Sequence, residues 1–224
     1  MATLLTNARR IDPAADTQAP GWPLFDETGI LGRGTDAPPA IHYDTFDASG
    51  ACVAPGIIDL GVKIGEPGER HKESYKTAGA AAAAGGVTTI VTRPDTTPVT
   101  DTPETLAFAM RRAAETAPVH VLPMATLTKG FEGREMTEIG FLLDAGAVAF
   151  TDCDNVVRDT KVFGRALSYA RSLGALVLGH PQAPGLSAGA AATSGKFASL
   201  RGLPAVSPIA ERTGVDRDIA MVEL

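Results

Sequence analysis

The sequence has few cysteines, and their placement excludes a disulfide framework. Only two occur among 224 residues. Cys52 and Cys153 lie far apart and form no C-x-x-C pair or metal-knuckle spacing. Free thiols without a partner are typical of a reducing compartment, so we expect a cytoplasmic protein.

An excess of positive charge is also lacking. Lys and Arg number 20 against 26 Asp and Glu, which gives a net charge of -6. No basic stripe is available to neutralise phosphates, and this argues against a nucleic-acid partner. No apolar run approaches the length of a membrane span, and the opening "MATLLTNARRID" is too short in apolar residues for a secretory signal. We therefore expect no membrane partner.

What is present is enough apolar sequence for a sizeable core, in two differently patterned regions. Hydrophobic residues make up 44% of the chain. Residues 1–56 are rich in Pro, Gly and Asp, with short apolar pieces such as "TLLTN", "WPLFD" and "ACVAP". This pattern predicts short antiparallel strands, the N-terminal part of a small β-sandwich domain.

Residues 57–224 alternate between strand-like and helical patterns. Five strand-like runs can be read: "IIDLGV", "VTTIVT", "VHVLPMAT", "AVAF" and "ALVLG". Helical patterns follow the first four, over 74–85, 102–115, 134–146 and 160–174, and a Gly/Ala-rich tract follows the fifth. Thr102-Pro103 should begin the second helix and Gly174 should end the fourth. Serial β-then-α units predict a parallel α/β sheet wound with helices.

In parallel α/β barrels, functional side chains lie where strands end. The strand ends here carry mostly polar residues, together with the small Gly61 and Ala125. They are Gly61 and Lys63, Arg93 and Asp95, Ala125 and Thr126, Thr151 to Cys153, and His180. Any site should be sought among these positions.

Four segments carry a resemblance to a known family: "VAPGIIDLGVKIGEPGERHKE", "AAAAGGVTTIVTRPDTTPVTD", "LPMATLTKGFEGREMTEIG" and "GAVAFTDCD". They resemble the dihydroorotases of the amidohydrolase superfamily, over roughly residues 50–224. The resemblance implies a (β/α)₈ TIM barrel of the amidohydrolase type, here only about five β/α units, with a small β-domain. It also implies a metal site and the reversible cyclisation of carbamoyl aspartate to dihydroorotate in pyrimidine synthesis.

Most of the chemistry that the resemblance implies is missing. Its strand-1 His-x-His metal ligands fall on Gly61 and Lys63. A glycine offers no ligand, and a protonated lysine repels a divalent cation. The arginine that grips a substrate carboxylate falls on Gly65.

The later positions are altered in the same way. A substrate-binding asparagine falls on Asp95, and the position of the metal-bridging carboxylate falls on Cys153. Only the strand-5 histidine is kept, as His180. Since a hydrolytic zinc site needs three protein ligands and an open position, we expect no metal cofactor. A rearranged zinc site using Cys153 and His180 is the alternative.

Three further side chains near these strand ends admit a structural interpretation. Asp152 and Asp154 are typical of turn and capping residues, and Cys153 of a half-buried thiol. Lys63 is different, because burying an unpaired ammonium near the former metal position is costly, so a carboxylate partner is expected. Asp95, Asp152 and Asp154 are the candidates.

Three functions follow. The first is a degenerate, inactive dihydroorotase-like protein, a pseudoenzyme that serves as a structural partner of aspartate carbamoyltransferase or of another copy of itself. The second is an active cyclic amidohydrolase with altered ligands, acting on a dihydropyrimidine, hydantoin or similar ring. The third is a small-molecule sensor. We also expect either a longer parent chain or a second chain covering the open sheet, because five units do not close a barrel.

Overall fold

A computed structural model describes residues 1–224. The chain divides into two compact units, Met1–Gly56 and Ile57–Leu224, which are described in turn. None of the helices combines the length and the apolarity that crossing a bilayer requires.

The first unit is a six-stranded sheet. Its strands are β1 (Ala2–Thr6), β2 (Ala8–Asp12), β3 (Thr17–Asp26), β4 (Gly29–Gly34), β5 (Tyr43–Asp47) and β6 (Cys52–Val53). The order is β5-β1-β3-β2-β6, with β4 also beside β3. Leu4 and Leu24 are buried at its centre, with Trp22 packed against them. Membership of a β-sandwich stays a prediction.

The expectation of antiparallel strands holds for only part of this sheet. Strands β1, β2 and β4 each pair antiparallel with β3. Strand β5 instead pairs parallel with β1, and β6 pairs parallel with β2. The prediction is wrong for these two because each reaches its partner through a long connection, whereas a tight hairpin would force an antiparallel pair.

The second unit begins with a parallel three-stranded sheet in the order β7-β8-β9. Its strands are β7 (Ile57–Val62), β8 (Val87–Thr92) and β9 (His120–Pro123). The helices between and after them are α1 (Tyr75–Ala84), α2 (Pro103–Thr116), α3 (Ile139–Asp144) and α4 (Thr160–Ser172). The last part contains α5 (Pro184–Ser187), β10 (Ala192–Thr193), α6 (Lys196–Arg201), β11 (Ala205–Val206) and α7 (Ile209–Glu223).

The predicted helix signals are confirmed at two ends. The Thr102 hydroxyl accepts a hydrogen bond from the Thr105 amide, and Pro103 opens α2. Gly174 follows α4 with a φ of 68°, in the left-handed region that glycine adopts without strain. These local signals hold because capping depends on neighbouring residues alone.

The fourth and fifth predicted strands are not regular strands. "AVAF" and "ALVLG" contribute single parallel bridges, Ala125 to Phe150 and Phe150 to Val177. The structure is therefore a partial barrel with a curled sheet. Parallel pairing is continuous between β7, β8 and β9, and later in the chain only single bridges remain. The large buried cluster beneath these bridges includes Phe150, Leu142 and Phe163.

The third predicted helix is also shorter than its sequence pattern. A helix over 134–146 was expected, but α3 begins at Ile139. Residues before it are used elsewhere, since Met136 bridges Thr128 and the Thr137 hydroxyl donates to the Thr126 carbonyl at 2.7 Å. Tertiary hydrogen bonds thus override helix propensity in this segment.

Candidate functional site

The end of β7 and the loop that follows it carry the first departures from a metal site. Gly61 has a φ of 84°, which disfavours any residue with a side chain. At Gly65 an added Cβ would collide with the carbonyl oxygen of Glu69. The loop as folded therefore has no room for a large side chain at residue 65.

Lys63 forms an ion pair across the sheet. Its Nζ lies 2.9 Å from Oδ2 of Asp95, and this contact raises the pKa of the lysine above its ordinary value. The predicted pairing of Lys63 with a carboxylate is confirmed. The expected reason is wrong, because the Lys63 side chain is 59% exposed and burial does not force the pairing.

Arg93 is the centre of the charge cluster. Its Nη2 lies 3.0 Å from Asp95 Oδ2 and 2.8 Å from Asp154 Oδ2. Hydrogen bonding to Asp154 raises the pKa of Arg93, and the same bond lowers the pKa of Asp154. We name Lys63, Arg93, Asp95 and Asp154 the strand-end cluster. The interpretation of Asp154 as a turn residue misses this role.

The cluster is charged but incompletely hydrogen-bonded. Asp95 Oδ1 and Arg93 Nε are both buried and have no partner. Thr126, fully buried at the end of β9, likewise has a hydroxyl without a partner. The sequence placed Arg93 at a strand end but indicated no role for it. The spacing of Arg93 and Asp95, two residues apart, was the overlooked signal of their ion pair.

Asp152 has a structural role, as predicted. Its carboxylate accepts 2.9 Å hydrogen bonds from the amides of Leu127 and Thr128 and a further bond from the Thr128 hydroxyl. Burial raises the pKa of Asp152, and these three bonds oppose the rise. The carboxylate thus ties the residues that follow the "AVAF" segment to the "TLTKG" segment.

Cys153 and His180 do not form a metal site. Burial raises the pKa of the Cys153 thiol to about 11, although Arg93 opposes this. The thiol is therefore neutral near pH 7. His180 is exposed.

The metal that the resemblance implies does not fit these residues. Nowhere do three His, Cys, Asp or Glu side chains come together in an arrangement that could hold a metal ion. At the strand ends, the carboxylates of Asp95 and Asp154 face an ammonium and a guanidinium instead.

Glu66 anchors the E-P-G-E segment to two helices. Glu66 is 4% exposed, accepts a 3.2 Å hydrogen bond from the Tyr75 amide and lies 3.0 Å from Nε of Arg112. It joins the loop after β7 to the first residue of α1 and to α2. The E-P-G-E motif, which carried much of the resemblance, therefore has a structural role through Glu66.

Comparison with solved structures defines the class of fold. The L-hydantoinase (dihydropyrimidinase) of Arthrobacter aurescens matches 99% of this chain and 50% of its own, with a TM-score of 0.79 and 19% identity. The dihydropyrimidinase of Brevibacillus agri matches 100% and 50%, with a TM-score of 0.72 and 20% identity. This similarity shows a shared α/β fold.

Comparison of sequences defines the family. The family model described as dihydro-orotase-like matches residues 50–224. A dihydroorotase of Syntrophobacter fumaroxidans is 38% identical over 99% of this chain and 51% of its own length, and one of Syntrophus aciditrophicus is 35% identical over 100% and 53%. The chain belongs to the dihydro-orotase-like family, and it spans about half the length of these relatives.

Proposed function

We propose that this is a dihydroorotase-like protein of pyrimidine biosynthesis that does not turn over dihydroorotate. The observation that carries the proposal is the ion pair between Lys63 and Asp95. It lies at the end of β7, where the resemblance implies metal ligands. Two free cysteines support a cytoplasmic location.

Charge explains why this cluster is unsuited to zinc chemistry. A zinc ion that activates water needs three protein ligands and an open position. Lys63 keeps its proton because Asp95 raises its pKa, so its ammonium would repel a divalent ion. Asp95 is engaged by both Lys63 and Arg93, and Asp154 by Arg93.

We further propose a scaffold role in complex with aspartate carbamoyltransferase. Support comes from the open side of the second unit. Strand β7 pairs on one side only, and Ile57, Ile58 and Leu60 on it are 56%, 62% and 65% exposed. An edge of this kind needs cover, either from a second chain or from the rest of a longer parent chain, and we propose that aspartate carbamoyltransferase supplies it.

Two assays test the proposal. Dihydroorotate turnover in zinc-supplemented buffer should be absent, and co-purification with aspartate carbamoyltransferase should be stoichiometric. The Gly61→His, Lys63→His double variant should also stay inactive, because the loop at Gly65 leaves no room for a substrate-gripping side chain. Turnover that disappears on chelation would overturn the proposal and favour the cyclic amidohydrolase, with dihydrouracil and hydantoin as the next substrates to assay.

A further inference from the structure

A cavity of about 560 Å³ lies within the unit Met1–Gly56. This volume is typical of small-ligand sites. Its walls are largely apolar and come from β2, β3, β4, β6 and the segment after β6. They include Ile11, Ala19, Pro23, Ile30, Val53 and Pro55.

Two arginines line this cavity, and only one of them has an acidic partner. Arg33 Nη1 lies 2.8 Å from Oδ2 of Asp12. The hydrogen bond from Arg33 lowers the pKa of Asp12, so the pair is charged and balanced near neutral pH. Arg10 has no carboxylate within salt-bridge distance, and its buried Nε has no hydrogen-bond partner. The cavity therefore carries one positive charge in excess.

The sheet holds Arg10 in this position. It lies in β2, opposite Ala19 of β3 on one side and Val53 of β6 on the other. Its guanidinium crosses the backbone of Gly21, where an added Cβ would lie 2.8 Å from Nε. The absence of a side chain at residue 21 thus makes room for the guanidinium inside the sheet unit.

We infer that this cavity binds a small carboxylate with an apolar body. A guanidinium offers a fork of N–H donors that matches a carboxylate, and it is unpaired here. The apolar walls would cover the rest of the ligand. Two sources have this chemistry: a free aliphatic acid, and the terminal carboxylate of a peptide that ends in an apolar residue.

Calorimetry and NMR titration on the 224-residue chain test the inference. Hexanoate should bind saturably and at least about tenfold more tightly than hexanamide, which has the same body without the charge. A pentapeptide ending in leucine, compared with its C-terminal amide, tests the second source. Preference for hexanoate assigns the site to free acids, and preference for the peptide acid assigns it to chain termini.

Variants locate the site. Arg10→Gln should weaken binding of the preferred acid about tenfold. Arg9→Gln is the matched control, because the neighbouring Arg9 contacts Cys52 at 2.9 Å and does not line the cavity; its affinity should change less than about twofold. Equal affinity for hexanoate and hexanamide together with equal affinity for the two peptide forms, or no saturable binding, would overturn the inference whether or not the variants fold. Unchanged affinity in folded Arg10→Gln would do the same.

Discussion

The buried carboxylates Glu66 and Asp152 differ sharply from the strand-end cluster. The two carboxylates are 4% and 5% exposed and accept hydrogen bonds from backbone amides. In the cluster, Lys63 and Asp154 have side chains 59% and 72% exposed, and buried polar atoms of Arg93 and Asp95 remain without partners. The carboxylates with hydrogen-bond partners hold the loops together. The buried atoms without partners lie at the strand ends, where the resemblance implies the metal site. Glu66, which belongs to the E-P-G-E motif, thus serves the fold in a chain whose strand ends do not fit a metal.

Replacing Asp152 should have the largest effect on the free energy of unfolding. Replacing it by alanine leaves the buried amides of Leu127 and Thr128 without an acceptor, so we expect a loss of about 3 kcal/mol or more in the free energy of unfolding. Urea denaturation measures it. Asp154→Ala, at an exposed carboxylate two residues away, should cost less than about 1 kcal/mol. Equal costs would remove the contrast between the two regions.

Glu66 should come next. Glu66→Gln keeps an acceptor for the Tyr75 amide but loses the charge facing Arg112, so we expect about 2 kcal/mol of destabilisation by the same measurement. Glu69→Gln is the matched control in the same loop. The Glu69 side chain is 40% exposed, so the loss of its charge should leave the midpoint of urea denaturation almost unchanged. A Glu66 variant as stable as the control would show that the loop does not depend on this ion pair.

Arg93 makes a smaller, pH-dependent contribution to the stability of the fold. Because its hydrogen bond lowers the pKa of Asp154, the pair stabilises the fold above the unfolded value of about 3.9, and this contribution is lost as pH falls through the lower folded pKa. Arg93→Ala should raise the pKa of Asp154 towards its ordinary value and flatten the stability profile in this acid range. NMR titration of the Asp154 carboxyl checks it; an unchanged pKa would show that Arg93 does not hold this carboxylate in solution.

Lys63 should matter least to stability. Its exposed ammonium contacts a carboxylate that Arg93 also binds, so Lys63→Met should change the free energy of unfolding by less than about 1 kcal/mol. Thermal denaturation at low and high salt measures this. A larger loss that salt does not reduce would mean that Lys63 is buried and structural, contrary to its observed exposure.

Local sequence signals predicted the start of α2 and the end of α4. The pairing of Lys63 with a carboxylate was predicted from the resemblance, with Asp95 as one of three candidates. Other features that depend on distant pairing were not predicted. The parallel pairing of β5 and β6, the late start of α3 and the central position of Arg93 each depend on residues far apart in sequence. A side chain from the end of β8 that reaches Asp154, 61 residues later, leaves no periodic pattern to read.

If the strand-end cluster takes the place of a metal ion, the purified protein should hold no zinc, and its zinc content can be measured. The purified protein is equilibrated with zinc, dialysed and analysed by inductively coupled plasma mass spectrometry. We expect far less than one zinc ion per chain, both in the native protein and in the Cys153→Ser variant. Stoichiometric zinc in the native protein, lost on mutation of Cys153 or His180, would contradict it.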